Sequence, residues 1–107
     1  MAQYRLLALT NCLDGRDEEF NAWYDAHHLP EACAVPGVVR GMRLERVGSF
    51  SEEADQPRFQ YLAMYDVETE DADAFLATLK QYLADGRIQR GQLYRQPTWT
   101  ALYKVRD

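Results

Sequence analysis

Apolar residues along this chain gather into four short strand-like runs and two runs spaced at three and four, as in a helix. Gln3 to Leu9 predicts a first strand, apolar at both parities. The turn Asn11–Arg16 leads into a helix from about Asp17 to His28, continuing past Pro30 into Glu31–Ala34, with Pro36-Gly37 ending it. Asp14 is the expected N-cap, and Asp17, Glu18 and Glu19 place negative charge in the first turn, where the helix dipole favours it. Val38 to Val47 predicts a second strand, Gly48 to Pro57 a polar, turn-rich loop, and Arg58 to Val67 a third strand. That loop is too short for a crossover helix, so the two strands pair antiparallel. Thr69–Asp71 caps a second helix, Ala72 to Ala84, whose Phe75, Leu76, Leu79, Tyr82 and Leu83 form one apolar stripe, and Gly86 is its C′ residue. Residues 87–97 form a polar loop, and Thr98 to Val105 the last strand.

The order β-α-β-β-α-β predicts an α+β fold, a ferredoxin-like sandwich with a four-stranded antiparallel sheet and both helices on one face. Residues 1–107 form a single domain. Two helices cover only one sheet face. Yet strand three carries Phe59, Tyr61, Ala63 and Tyr65 on one parity and Leu62 and Met64 on the other, and strand one pairs Tyr4, Leu6 and Ala8 with Leu7 and Leu9. Such strands are buried on both sides. A second copy of the sheet is the simplest cover, which predicts a homodimer packed face to face; a bare monomer would expose an aggregation-prone surface.

Composition narrows the function. Seventeen acidic against twelve basic residues give a net charge of −5, which argues against nucleic acid or an anionic membrane as partner. A hydrophobic content of 47% excludes a disordered chain. No export signal or membrane-spanning run is visible, so a cytoplasmic location with Cys12 and Cys33 as free thiols is expected. The chain has no glycine-rich phosphate loop, Cys-x-x-Cys or metal-ligand spacing, so neither cofactor nor metal is expected; haem would need His27 or His28 as its axial ligand.

Candidate chemistry begins at Glu19-Phe-Asn-Ala-Trp-Tyr-Asp-Ala-His-His-Leu-Pro30. Helical spacing puts Phe20, Tyr24 and His28 on one stripe and Glu19, Trp23 and His27 on the next. His27 and His28 are the only histidines, and at a helix end they would feel the dipole's negative pole, which favours protonation. Asp25 lies three residues before His28 and Glu31 three after, so a carboxylate can orient an imidazole, the outline of a tunable base. The plainer alternative is one histidine capping the helix and one on the surface, with Phe20, Trp23 and Tyr24 simply core.

The pattern Glu19-Phe-x-x-Trp-Tyr-x-x-x-His28-x-Pro30, then Val35-Pro-Gly-Val38 and a strand carrying Arg43, resembles the EthD-like branch of the dimeric α/β-barrel superfamily, most closely over residues 17–46. The resemblance implies a dimer whose sheets close into a barrel, with one pocket per subunit between sheet and helices. Members of that superfamily include cofactor-independent monooxygenases of aromatic polyketides, isomerases, cyclases and haem proteins, while others have no known activity. Several of the enzymes use a pocket histidine assisted by a tyrosine. Carried over by position, these imply His28 and Tyr24 as catalytic, with Trp23, His27 and Arg43 beside them.

Tyr61 and Tyr65 share a parity, as do Trp99, Ala101 and Tyr103 on the last strand; if both parities face the barrel interior, the pocket is aromatic-walled and suits a flat aromatic or polyketide-like ligand. Only one of Arg40 and Arg43 can point inward, where it would bind a carboxylate or phenolate. The expectation is therefore a cofactor-independent enzyme acting on a small aromatic or conjugated compound by His-mediated acid/base chemistry, of isomerase, lyase, cyclase or monooxygenase type. The alternative is a non-catalytic protein holding a small apolar ligand in the same pocket.

Overall fold

The computed structural model describes residues 2–51 and 58–106. Strands β1 (Ala2–Cys12), β2 (Val38–Glu45), β3 (Tyr61–Thr69) and β4 (Tyr94–Lys104) form one sheet in the order β2-β3-β1-β4. All three pairings are antiparallel, with Leu6 opposite Tyr65 and Leu102, and Met42 opposite Met64. This is the expected ferredoxin-like arrangement. The most apolar strands, β1 and β3, are the central pair, because only a central strand has neighbours on both edges.

The first helical stretch is α1 (Asp17–Trp23), a π-helical turn (Tyr24–His28) and α2 (Leu29–Cys33), and the second helix is α3 (Ala72–Ala84). The residues joining these first three pieces are all right-handed helical, so the run continues through Pro30. A proline has no N–H to give and its ring crowds the carbonyl four residues back. The wider π turn directly upstream is where a helix can absorb that defect.

Helix α3 begins as expected, with Asp71 Oδ1 accepting from Ala74 N at 3.1 Å, and Gly86 follows it at φ +83°. Helix α1 does not. Its N-cap position is Arg16 and no side chain caps it, while Asp14 pairs instead with Arg95 on β4 at 2.9 Å. Two strand starts also move. Strand β3 opens at Tyr61, so Phe59 lies outside it, and β4 opens at Tyr94 rather than Thr98. The register of β1 against β4 shifts between Leu9 and Asn11, opposite Trp99 and Arg95. That irregularity on an edge strand accommodates Pro97, which cannot donate to a ladder. Part of the expected loop 48–57 lies outside the described residues.

The core lies on one face only. Leu6, Tyr61, Ala63, Tyr65 and Val67 project from the sheet against Phe20, Tyr24 and Ala32 of the first helical stretch and Phe75 of α3. On the opposite face, Leu7, Leu9, Leu62 and Met64 are half-buried, flanked by exposed Met42, Leu44, Trp99 and Tyr103. Asp66 there pairs with both Arg5 (2.9 Å) and Arg40 (2.7 Å), an ionic row along one edge of the apolar patch. Arg40 therefore points outward and Arg43 inward.

Candidate functional site

The π turn decides where His28 goes. Residues five apart align on a π turn, and His28 lies against Trp23, with ring centroids 5.1 Å apart. It also meets the Tyr24 ring edge-on at 4.7 Å. His28 is half-buried and His27 exposed, so only one of the two histidines enters the interior.

His28 Nδ1 lies 3.0 Å from the backbone carbonyl oxygen of Gln89. A carbonyl can only accept, so Nδ1 carries the proton and Nε2 keeps its lone pair. Burial pushes the imidazole pKa below its ordinary value, partly offset by the Gln89 carbonyl and the Glu31 charge, with Arg43 adding a smaller lowering. This overturns the expected protonated histidine at a helix end: the helix runs on to Cys33, and desolvation outweighs the dipole. Nor does Asp25 orient the ring, since its carboxylate goes to Arg43 Nη1 at 3.1 Å.

A cavity of about 80 Å³ lies between helices and sheet. His28, Tyr24, Tyr65 and Thr100 supply its polar groups, and Leu6, Leu79, Leu83 and Ile88 its aliphatic walls. Tyr65 is 2% exposed. Its hydroxyl is buried and makes no hydrogen bond of acceptable geometry, although it faces the Tyr24 hydroxyl closely enough for each to affect the other's ionisation. An unpaired buried hydroxyl is costly, and a cavity wall is where a ligand oxygen can satisfy it. Burial raises the pKa of Tyr24, Tyr65 and Tyr94, so all three phenols are neutral donors at neutral pH. Glycine at position 41 makes room for Tyr65, because a Cβ there would stand 2.7 Å from its ring and 2.9 Å from Cys33 Sγ.

The remaining expected site residues divide. Trp23 flanks His28. Arg43 lies among rings, its guanidinium carbon 4.2 Å from the Tyr24 centroid, 5.2 Å from Tyr61 and 5.5 Å from Phe20. Its Nη1 donates to Asn21 Oδ1 at 2.9 Å, while Nε and Nη2 are buried without a hydrogen-bond partner. Desolvated stacking of this kind is worth about 2 kcal/mol per contact. Tyr61 turns away from the cavity, donating to Asp17 Oδ2 and accepting from Asn21 Nδ2. That bond holds the Asp17 carboxyl below its usual range. Trp99 sits on the other side of the sheet, 59% exposed, so the two aromatic parities do not share a pocket.

Sequence reasoning missed Gln89, Ile88, Tyr94 and Thr100. Gln89 and Ile88 fall in a polar stretch that carries no periodicity, and Gln89 acts through its backbone, which no side-chain pattern reveals. Cys12 and Cys33 are both free, and burial raises both thiols' pKa values, which leaves them poor nucleophiles. Among the described residues no three His, Cys, Asp or Glu side chains cluster as metal ligands, and no helix is long and apolar enough to cross a membrane.

No sequence-family model matches the chain, and no curated protein matches it. Solved structures do. An EthD-like protein from Ralstonia eutropha is 15% identical, with a TM-score of 0.65 over 98% of this chain and 93% of its own. A DABB family protein with a ferredoxin-like fold from Mesorhizobium loti is 11% identical, with a TM-score of 0.61 over 96% of both chains. A candidate antibiotic biosynthesis monooxygenase from Bordetella bronchiseptica is 17% identical, with a TM-score of 0.71 over 98% of both. The chain shares the ferredoxin-like fold of these proteins.

Proposed function

We propose that this protein is a cofactor-independent enzyme that removes a proton from a small aromatic or conjugated compound, with His28 as the base. The observation that carries this reading is the neutral, half-buried imidazole with Nδ1 tied to Gln89 and Nε2 free, on a cavity shared with the hydroxyls of Tyr24 and Tyr65. A base works best when uncharged at working pH and fixed in orientation. The unpaired Tyr65 hydroxyl is suited to donate to an enol or phenol oxygen as charge develops on it. Trp23 flanks the base, and the Arg43 guanidinium stacks on the Tyr24 ring. Loss of the proton leaves a conjugated anion, from which isomerisation, elimination, cyclisation or attack on dioxygen can follow.

The volume bears on the ligand. A cavity of about 80 Å³ is smaller than the roughly 150 Å³ that accepts benzene in a designed apolar hole, so in this form it does not enclose a whole aromatic ring. A shift of the cavity walls would let a single-ring compound bury itself fully there. The neighbours named for antibiotic biosynthesis and for the EthD family lend the reading context, since the same fold carries small-molecule chemistry by name in at least one of them.

We further propose that the functional unit is a homodimer, formed by pairing the outer sheet faces around Leu9, Leu62 and Trp99. The partner-facing patch is apolar at its centre and ionic at one edge, the anatomy of a protein interface.

The test is turnover of a panel of single-ring phenols, enols and lactones by wild type and His28→Gln. Loss of general-base help lowers kcat by roughly 10²–10⁴. Unchanged kcat in a folded His28→Gln protein overturns the enzymatic reading, and tight binding without turnover by the wild type replaces it with a carrier function.

A further inference from the structure

Residues 85–93, between α3 and β4, have no regular structure, yet one of them is tied to the first helical stretch at three points. Glu31 Oε1 accepts from Gln89 N at 2.7 Å, His28 Nδ1 donates to Gln89 O at 3.0 Å, and Trp23 Nε1 donates to Gln89 Oε1 at 3.4 Å. The carboxylate contact is the strongest of the three, being short and charge-assisted. Next to Gln89, Ile88 is buried in the cavity wall, and its N–H donates to Tyr82 O at 3.1 Å. Gly91 lets the segment lie flat against the indole, because a Cβ there would stand 2.5 Å from the Tyr94 ring and 2.8 Å from that of Trp23.

His28 and Glu31 sit one turn apart on the same helical run and grip the two backbone groups of one residue. The Gln89 carbonyl determines which imidazole nitrogen holds the proton, and so which one is free to act. The Glu31 bond is the shortest of the three that hold Gln89. We infer that Glu31 is a positioning residue, which holds Gln89 in place and thereby keeps His28 in the Nδ1–H form. This rests on the reading of His28 as base, but its consequences are measurable without a substrate.

The experiment is long-range ¹⁵N NMR of the imidazoles, with amide exchange at Gln89, in wild type and three variants; exposed His27 serves as an internal reference. Wild type is expected to show the Nδ1–H form alone at a pH where the ring is neutral. Glu31→Ala and Glu31→Asp should give a mixed tautomer and at least tenfold faster Gln89 exchange, the aspartate because it keeps the charge but falls one methylene short. Glu31→Gln retains an acceptor oxygen at full length and should stay close to wild type, so the series remains decisive even if the alanine variant fails to fold. Wild-type tautomer and exchange in a folded Glu31→Asp protein would overturn the inference, as would a Gln variant that behaves like the aspartate. If the tautomer is unchanged while His28→Gln is inactive, only this inference falls. If the tautomer is lost while His28→Gln keeps its turnover, only the proposed base falls.

Discussion

Neighbouring residues on the same two strands meet opposite fates. Leu6, Tyr65 and Val67 are sealed beneath the helices, while Leu7, Met64 and Asp66, one step along, face outward. The inner face is covered by this chain's own helices and carries His28. The outer face is equally apolar at its centre, yet Trp99 and Tyr103 are 59% and 58% exposed. A strand side chain points to one face or the other by parity alone, so apolar residues on both faces require two covers. The chain supplies one of them.

The largest effect expected is on the inner face. Phe20 is fully buried and packs on Tyr24, Tyr61 and Tyr94 with centroids 5.6, 5.4 and 5.4 Å away. Phe20→Ala should cost about 3–5 kcal/mol by urea unfolding. A loss below 1 kcal/mol would mean that the inner face is not the folding core. Trp99→Glu probes the outer face and should change protomer stability by no more than about 0.5 kcal/mol. It should nevertheless convert a dimer to monomers in sedimentation velocity, since it places a charge in the proposed interface. A wild type that sediments as a monomer would break the comparison at this point.

Tyr65→Phe sharpens it further. Removing a buried hydroxyl normally destabilises a core, but this one has no partner to lose. Unfolding stability should stay within about 1 kcal/mol of wild type or rise, while ligand affinity falls. The smallest effect concerns pH. Burial holds His28 below its ordinary pKa, so the unfolded chain takes up the proton first as pH falls. Stability from this source is full above the unfolded value of about 6.5, declines below it and levels off beneath the folded value. Urea midpoints should therefore drop on acidification less in His28→Gln than in wild type.

How far these features were legible in the sequence varies with how local their causes are. Alternation and turn residues specify β1, β2, β3 and α3 because each answers to its own neighbours. Asp71 caps α3 as its position implies, but Asp14 does not cap α1, having found Arg95 some eighty residues away. His28 and Tyr24 were recognisable as a pair because four-residue spacing survives the π turn. Trp23 and His28 form a second pair that only the π turn creates.

Parity alone required the uncovered apolar face of the sheet, and helical spacing alone put Tyr24 beside His28. Tertiary structure decided that the imidazole is neutral, which nitrogen is free, and that Tyr65 joins it while Trp99 does not. The physical reason is that burial and backbone hydrogen bonds set the protonation of His28. Both come from Gln89, Glu31 and the cavity walls, whose proximity depends on how helices and loop close over the sheet.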